Sequence, residues 1–231
     1  MVLKFILLAI GAYLLGSVPA GYLAIKWSRG TDIRKVGTGK MGASNVMNAG
    51  GPKWLAIPVA VFDIGKGVLV VFIAKYVLHL EPIYQSLVGV CAVLGHDWSI
   101  YLKFKSGGRG VFVTLGVITM ISWKLGLIAL VGPYLLFAPF KQLAIGVFAV
   151  YVTFPFLAYF FPGPFGVGDQ MAITYGFAAL GGLGLLVRII GHRTELSKNV
   201  PMHKVIFYRL LFDRDIADRK LWNSRGAVNQ G

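Results

Sequence analysis

The chain has 231 residues, of which 56% are hydrophobic and only 14% are charged, and its mean hydropathy is +0.70. A soluble domain with so few charges would expose large apolar patches, so this composition excludes a soluble globular protein. The formal net charge of +14 does not indicate nucleic-acid binding, because the basic residues lie in loops between apolar segments. It favours contact with anionic membrane lipids and with a phosphorylated substrate. A single cysteine, Cys91, excludes a disulfide framework and a cysteine-based zinc site.

Seven apolar segments follow one another along the chain, and a helix needs about 20 apolar residues to cross a bilayer. The first segment ends in Val18-Pro19-Ala20, as a signal peptide could, but it is too long for one, so we expect a retained first helix. The fourth is too short to span alone and predicts a half-membrane or tilted element. The sequence therefore predicts an all-α polytopic membrane protein with about seven membrane helices, at about 3–25, 54–77, 83–102, 111–121, 123–139, 143–161 and 171–190.

Lysine and arginine are distributed unevenly between the two sides of this predicted bundle. Of the 23 basic residues, 19 lie in the loops 26–53 and 103–110, at Lys141, and after residue 187. Because loops rich in Lys and Arg stay in the cytoplasm, we expect the N-terminus outside and the C-terminus inside. The sequence thus predicts a multi-pass protein of the cell (inner) membrane whose site faces the cytoplasm.

The loop 28–51, between the first two segments, is polar, basic and rich in glycine. Glycine lets backbone N–H groups turn toward an anion, and the Lys, Thr, Ser and Asn side chains add donors. No Gly-x-x-x-x-Gly-Lys-Ser/Thr spacing occurs in it, which excludes a Walker A motif. The loop predicts a phosphate site, with a flexible connector as the alternative. Its candidate ligands are Gly37, Thr38, Gly39, Lys40, Ser44 and Asn45.

A second glycine-rich stretch, Gly107-Gly108-Arg109-Gly110, directly precedes an apolar segment. Three glycines around one arginine can wrap an oxyanion with backbone N–H groups, and the helix N-terminus adds its dipole. A short glycine hinge is the alternative. After the last span, His192 and Arg193 either bind phosphate or anchor the helix end by snorkelling. Within the second segment, Asp63 and Lys66 share one helical face and predict a structural ion pair that supports the site.

Several familiar catalytic patterns are missing from the sequence. No His is followed by Asp five positions later, so the His-x-x-x-x-Asp box of many glycerolipid acyltransferases is absent. No Gly-x-Ser-x-Gly elbow and no His-Glu-x-x-His pattern occurs either. An enzyme built on this chain would work without a dedicated base of these types, and we expect no metal and no cofactor.

Three motifs, in one order, resemble a known family, the membrane acyl-phosphate:glycerol-3-phosphate acyltransferases (the PlsY family). The resemblance covers residues 5 to about 196. Its first motif runs through Thr31-Asp32-Ile33-Arg34-Lys35-Val36-Gly37-Thr38-Gly39 and Gly42-Ala43-Ser44-Asn45-Val46. The second comprises Gly95-His96 and Gly107-Gly108-Arg109-Gly110-Val111, and the third is Gly191-His192-Arg193. Asp63-Ile64-Gly65-Lys66-Gly67 also matches.

The resemblance implies a seven-helix fold with a cytoplasmic site. It also implies transfer of an acyl group from acyl-phosphate to the 1-hydroxyl of glycerol 3-phosphate, which gives lysophosphatidate for phospholipid synthesis. In such enzymes the donor's own phosphate is thought to accept the proton, which agrees with the missing base. By resemblance the catalytic residues are Thr38, Arg109 and His192. The substrate-binding residues are Gly37, Gly39, Lys40, Ser44, Asn45, Asn48, Gly107, Gly108, Gly110, Arg193 and Glu195.

The motifs depart from the family pattern at several positions. Thr38 replaces a serine but keeps the hydroxyl, and Arg109 replaces a lysine but keeps the charge in a forked geometry. Glu195 replaces an asparagine and adds a carboxylate that repels phosphate, unless Asn199 takes the role. The other departures are Lys40 for asparagine and Asn48 for arginine. Two alternatives follow: an acyltransferase for another phosphorylated acceptor, or a transporter of an organic phosphate or lipid.

The chain continues past the third motif, and we divide it into an acyltransferase-like membrane domain, 1–196, and a basic cytoplasmic tail, 197–231. In the tail, apolar residues at helical spacing share the stretch 205–214 with arginine. This pattern predicts an interfacial amphipathic helix on the inner leaflet, with packing against the cytoplasmic loops as the alternative. We expect a monomer.

Overall fold

This computed structural model describes residues 1–36, 39–48, 52–104, 107–191 and 193–224, and the regular secondary structure among them is entirely helical. No strand occurs among them, so the predicted all-α class is confirmed. The helices are α1 (Val2–Ser17), α2 (Ala20–Arg29), α3 (Ala43–Asn48), α4 (Ala56–Phe72), α5 (Pro82–Asp97), α6 (Val111–Ile121), α7 (Trp123–Phe137), α8 (Leu143–Phe160), α9 (Pro162–Phe165), α10 (Gln170–Ile189), α11 (Met202–Phe212) and α12 (Arg219–Ser224).

Four helical stretches of the described chain are long and apolar enough to cross a membrane: Val2–Arg29, Lys53–Val77, Leu143–Phe160 and Gln170–Ile189. The other predicted segments also form helices, but α6 and α7 are shorter apolar helices and α5 has 16 residues. Large apolar side chains cover the outside of the bundle, and Leu135, for example, is 70% exposed. Such a surface suits helices that are surrounded by lipid.

Two helix boundaries differ from the sequence prediction. The first segment is divided between α1 and α2 at Val18 and Pro19, because proline cannot donate a backbone hydrogen bond and interrupts a helix. The third segment was expected to reach residue 102, but α5 ends at Asp97. Beyond it, the Ser99 hydroxyl donates to the Ser17 carbonyl at 2.5 Å, which ties the end of α5 to the break after α1.

Backbones approach closely at several helix pairs, including α1 with α5 and α4 with α6, and glycine makes these approaches possible. A Cβ on Gly95 would lie 2.1 Å from the Tyr13 carbonyl oxygen, and a Cβ on Gly67 would lie 2.2 Å from that of Val113. Small residues allow this packing in membrane bundles. Glycine at these positions therefore lets α5 lie directly against α1, and α4 directly against α6.

The C-terminal segment packs on the membrane helices, with α11 against α8 and α10. The guanidinium of Arg188, at the end of α10, donates to the Leu210 carbonyl at 2.5 Å and to the Ala144 carbonyl at 3.1 Å. The side chain of Val205 is fully buried in this contact. The structure therefore shows α11 packed on α8 and α10, while its position relative to the inner leaflet stays a prediction.

Candidate active site

A small cavity lies where the first loop, the glycine stretch before α6 and the C-terminal segment converge. Its volume is about 110 Å³, which is room for a small polar group with several heavy atoms. Four separate parts of the chain supply its charged side chains, Lys40, Asp63, Arg109 and Asp213, and these meet only in the folded protein. The cavity is lined by Lys40, Gly42, Ala43, Ser44, Asp63, His96, Arg109, Gly110, Val111, Phe112 and Asp213.

Asn45 fixes the shape of the first loop. Its buried side-chain amide donates to the carbonyls of Lys40 at 2.8 Å and Val36 at 3.1 Å. Gly39 adopts a positive φ of 69° in the same loop, a conformation that glycine reaches without strain. The amide N–H of Met41 then donates to the Gly107 carbonyl at 3.4 Å, so the first loop and the second glycine stretch lie side by side.

A salt bridge stabilises the first turn of this loop. Asp32 caps the 3₁₀ turn Ile33–Lys35, and its carboxylate pairs with the Arg34 guanidinium at 2.6 Å. The hydrogen bond from Arg34 lowers the pKa of Asp32 below its usual value. Arg34 also lies over the Tyr22 ring. This cation is therefore used to build the loop and does not line the cavity.

Lys40 and Ser44 both line the cavity from this loop. The Lys40 side chain is half-buried, and burial, with a further contribution from the Arg109 guanidinium, lowers the pKa of its ammonium group. Ser44 is more exposed than Lys40. A partly desolvated ammonium beside a second cation attracts anions strongly, because the surrounding dielectric is low.

The second glycine stretch is packed too tightly to accept side chains. A Cβ on Gly108 would lie 1.8 Å from the His96 Nε2, and a Cβ on Gly107 would lie 1.7 Å from the Asp97 carbonyl oxygen. Gly110 has a positive φ of 61° and is the N-cap of α6, where no side chain caps the helix. The first backbone N–H groups of α6 therefore lie beside the cavity with the positive end of the helix dipole.

Arg109 links the second glycine stretch to α10 and to the C-terminal segment. Its Nη1 lies 2.6 Å from the Asp213 Oδ1 and donates to the Val187 carbonyl of α10 at 3.4 Å. Its Nε is buried and has no hydrogen-bond partner within the described chain. The guanidinium thus retains donors for a planar or tetrahedral anion, which arginine binds through two parallel hydrogen bonds.

Asp63 of α4 and His96 of α5 also line the cavity. The Lys66 ammonium pairs with the Asp63 carboxylate at 2.8 Å and also donates to the carbonyls of Val18 at 2.7 Å and Gly16 at 3.3 Å. The His96 Nδ1 lies 3.5 Å from the Asp63 Oδ1. Across the described residues, no three His, Cys, Asp or Glu side chains gather as metal ligands would.

The structure brings together some of the predicted site residues and separates others. The Arg193 guanidinium donates hydrogen bonds to the carbonyls of Ser197 and Val200, so it stabilises the loop after α10. Glu195 is exposed and pairs with Lys198 at 2.5 Å, away from the cavity lining. Gly37, Thr38 and His192 lie outside the described residues, as does the side chain of Asn48. Lys40, Ser44, Arg109 and Gly110 line the cavity, and Gly39, Asn45, Gly107 and Gly108 support it.

Two ionisable residues of the cavity lining, His96 and Asp213, were missing from the predicted site residues. His96 belongs to the second motif, but a single histidine in an apolar segment gives no chemical signal of its own. Asp213 lies more than 100 positions after Arg109 in the chain, and nothing in its local pattern indicates the contact. Only the docking of α11 brings its carboxylate to the site.

Comparison with protein families gives a match over most of this chain. The family model described as glycerol-3-phosphate acyltransferase matches residues 6–200. The chain is 38% identical over 224 residues to a protein named glycerol-3-phosphate acyltransferase 4 from Dehalococcoides mccartyi strain CBDB1, covering 97% of this chain and 95% of the relative. It is 33% identical to a glycerol-3-phosphate acyltransferase from Prochlorococcus marinus strain MIT 9301, over 84% of this chain and 92% of the relative.

Two solved structures share the fold. Both are crystal structures of PlsY (YgiH), described as an integral membrane glycerol 3-phosphate acyltransferase. The glycerol 3-phosphate form superposes with a TM-score of 0.70 at 28% identity, and the lysophosphatidic acid form with 0.67 at 26%. Each comparison covers 80% of this chain and 88% of the other.

Proposed function

Because the chain belongs to the glycerol-3-phosphate acyltransferase family, we propose that it transfers an acyl group from acyl-phosphate to the 1-hydroxyl of glycerol 3-phosphate. The product is lysophosphatidate, an early intermediate of phospholipid synthesis. The observation that carries this proposal is that two cations, Arg109 and the half-buried Lys40, line one cavity beside the N-terminus of α6, which no side chain caps. Two phosphate-bearing substrates need such a concentration of cations and backbone donors.

The chemistry requires positioning more than a protein base. The substrate hydroxyl attacks the acyl carbonyl carbon and forms the ester, while the bond from that carbon to the phosphate oxygen breaks. The departing phosphate keeps the electron pair and takes up the hydroxyl proton. Acyl-phosphate is already activated, so holding both substrates in line supplies much of the rate acceleration. The two carboxylates of the cavity, Asp63 and Asp213, are each paired with a cation, which agrees with a reaction that does not depend on them as bases.

We assign the residues as follows. Arg109, the glycine backbone of 107–110 and the Thr38 hydroxyl hold the acyl-phosphate and stabilise the charge that develops on its phosphate. Lys40, Asn48 and His192 receive the phosphate of glycerol 3-phosphate, and Gly37, Arg193 and Glu195 lie in the same motifs. Asp63 and Lys66 form a structural pair beneath the cavity. The glycerol 3-phosphate and lysophosphatidic acid forms of the related PlsY structures support this choice of acceptor and product.

The proposal includes a membrane orientation. The chain crosses the cell (inner) membrane seven times, with the N-terminus outside and the C-terminus in the cytoplasm, as a monomer beside anionic lipids. The first loop, the glycine stretch and the C-terminal segment contact one another, so they share one side of the bundle. That side carries most of the Lys and Arg residues, which supports a cytoplasmic site. Residues 1–196 form the acyltransferase part and 197–231 the tail.

The test uses the full chain, purified in detergent and reconstituted in lipid vesicles. Incubation with palmitoyl-phosphate and radiolabelled glycerol 3-phosphate should give labelled lysophosphatidate in the lipid fraction. A transporter would instead accumulate unmodified glycerol 3-phosphate inside the vesicles. Accumulation without ester formation would overturn the proposal in favour of transport. Ester formation with a different phosphorylated acceptor, but not with glycerol 3-phosphate, would overturn the acceptor assignment alone.

A further inference from the structure

The C-terminal segment supplies a carboxylate to the site from beyond the part of the chain that the family model matches. That match ends at residue 200, whereas Asp213 lies just after α11 and lines the cavity. Its Oδ1 is 2.6 Å from the Arg109 Nη1, and both side chains are about one quarter exposed, at 29% and 25%. This ion pair is therefore neither a solvated surface contact nor a fully buried one.

The turn that carries Asp213 is held in place by the residues around it. Asp213 has a positive φ of 55°, a conformation that aspartate tolerates better than most residues. Two positions later, Asp215 pairs with Arg209 at 2.7 Å and accepts hydrogen bonds from Thr194 and Ser197. Arg209 in turn donates to the Ile189 carbonyl at 2.6 Å. These contacts attach the turn after α11 to the end of α10.

The guanidinium of Arg109 is held at one corner only. Both of its partners in the described chain, Asp213 and the Val187 carbonyl, contact Nη1. The edge formed by Nε and Nη2 makes no hydrogen bond there, and Nε is buried. An arginine with one corner fixed by a carboxylate and a carbonyl presents its other edge in a single orientation, which suits bidentate contact with a phosphate.

We propose that Asp213 is a positioning residue of the acyltransferase site, which fixes the Arg109 guanidinium in the orientation that binds the phosphate of acyl-phosphate. This inference rests on the proposed function, because it names the phosphate of that donor as the bound group. It makes the C-terminal segment an integral part of the site. The rigid attachment of the turn after α11 favours positioning over a displaceable carboxylate that competes with the substrate.

The test measures equilibrium binding of palmitoyl-phosphonate, a non-transferable analogue of the donor, to the full chain in detergent by isothermal titration calorimetry. Asp213→Gly removes the carboxylate and Asp213→Asn keeps an oxygen acceptor without the charge, and both residues tolerate the positive φ. Asp218→Asn is the matched control. Asp218 is exposed on the same segment and accepts backbone hydrogen bonds from Lys220 and Leu221.

We expect Asp213→Gly to weaken phosphonate binding about tenfold, within the usual range for coupled neighbours, and Asp213→Asn to weaken it less. Asp218→Asn should change it less than about twofold, as expected for a surface substitution. In an Arg109→Ala background, Asp213→Gly should have no further effect, because the carboxylate acts through the guanidinium. Unchanged or tighter binding by Asp213→Gly would overturn the inference. So would an equal loss in the Arg109→Ala background, which would indicate a general structural role.

The same samples separate this inference from the proposed function. Lysophosphatidate formation by the unmodified protein supports the function, whatever the Asp213 variants do. An unmodified protein that binds the phosphonate but forms no lysophosphatidate contradicts the function, while the binding series still decides the role of Asp213. An unmodified protein that does not bind the phosphonate overturns the inference about Asp213, and one that in addition forms no lysophosphatidate overturns both.

Discussion

Arg209 and Asp215 form an ion pair with 2.7 Å between Nε and Oδ1, and both side chains are buried. Burial opposes ionisation of Asp215, but the hydrogen bonds from Arg209 and Thr194 outweigh it and hold the pKa of this carboxyl below its usual value. The pair therefore stabilises the docked tail above the ordinary aspartate pKa of about 3.9, and this stabilisation is lost as the pH falls through the lower folded-state pKa.

The first prediction concerns the ion pair between Arg209 and Asp215. Asp215→Asn should release α11 from α10 at neutral pH, because it leaves the Arg209 guanidinium buried without its counter-charge. Hydrogen exchange of the amides in Met202–Phe212 should rise at least about tenfold relative to the unmodified protein, which corresponds to about 1.4 kcal/mol. Asp218→Asn, on the exposed part of the same segment, should leave exchange unchanged. Unaltered protection of α11 in Asp215→Asn would show that apolar contacts alone hold the tail.

The second prediction concerns Arg109. Arg109→Ala should reduce turnover by about 10²- to 10³-fold, the usual effect of removing a charged donor from a site that stabilises developing charge. Arg109→Lys should recover part of the rate, because lysine keeps the charge but not the forked geometry. Lys35→Ala is the matched control, since Lys35 is an exposed cation of the first loop. Initial rates with palmitoyl-phosphate, together with melting temperatures in detergent, distinguish catalysis from folding. Near-normal turnover by folded Arg109→Ala protein would remove Arg109 from the site.

The third prediction concerns Lys40 and alkaline pH. Burial and the nearby Arg109 guanidinium lower the pKa of Lys40, so its ammonium loses its proton below the ordinary lysine value of about 10.4. The KM for glycerol 3-phosphate should therefore rise as the pH increases through this lowered pKa. The phosphate itself does not titrate there, because its second pKa is about 6. Lys40→Arg should keep the KM constant over the same range, whereas Lys35→Arg should behave like the unmodified protein. A KM independent of pH in the unmodified protein would exclude Lys40 from acceptor binding.

The fourth prediction concerns orientation. Single cysteines at Lys35, Lys103 and Glu195, in a Cys91→Ser background, should react with a membrane-impermeant maleimide only after the cells are opened. All three positions are exposed in the structure. Glu81→Cys, in the exposed turn between α4 and α5, is the control and should react in intact cells. Reaction of Glu195→Cys from outside would reverse the proposed orientation.

The sequence predicted the fold class well, because long apolar segments can only form helices in lipid. It also predicted that Lys40, Ser44, Arg109 and Gly110 share a phosphate-type site, and the structure places all four at one cavity. Their roles in binding and catalysis remain predictions. Glycine-rich stretches next to apolar segments carry this information locally, since their backbone donors and cations belong to short motifs.

Other parts of the site depend on contacts that no local pattern encodes. The side chains of Asn45 and Arg193 bond to backbone carbonyls of their own loops, although their types are those of phosphate ligands. Glu195 pairs with Lys198 on the surface and is not part of the cavity lining. Its carboxylate is therefore not placed to repel a phosphate bound in the cavity. Asp213 reaches Arg109 only because the tail docks on α8 and α10. Sequence spacing alone does not show which of several polar side chains in a motif faces the cavity and which bonds to the backbone of its own loop.

The choice of acyl donor tests the central claim most directly. The purified protein should be given glycerol 3-phosphate with either palmitoyl-phosphate or palmitoyl-CoA, while lysophosphatidate, inorganic phosphate and free CoA are measured. With palmitoyl-phosphate we predict equal amounts of lysophosphatidate and inorganic phosphate, and with palmitoyl-CoA no product above that of the Arg109→Ala protein. Efficient formation of lysophosphatidate from palmitoyl-CoA, with release of CoA, would contradict a site built around the phosphate of the donor.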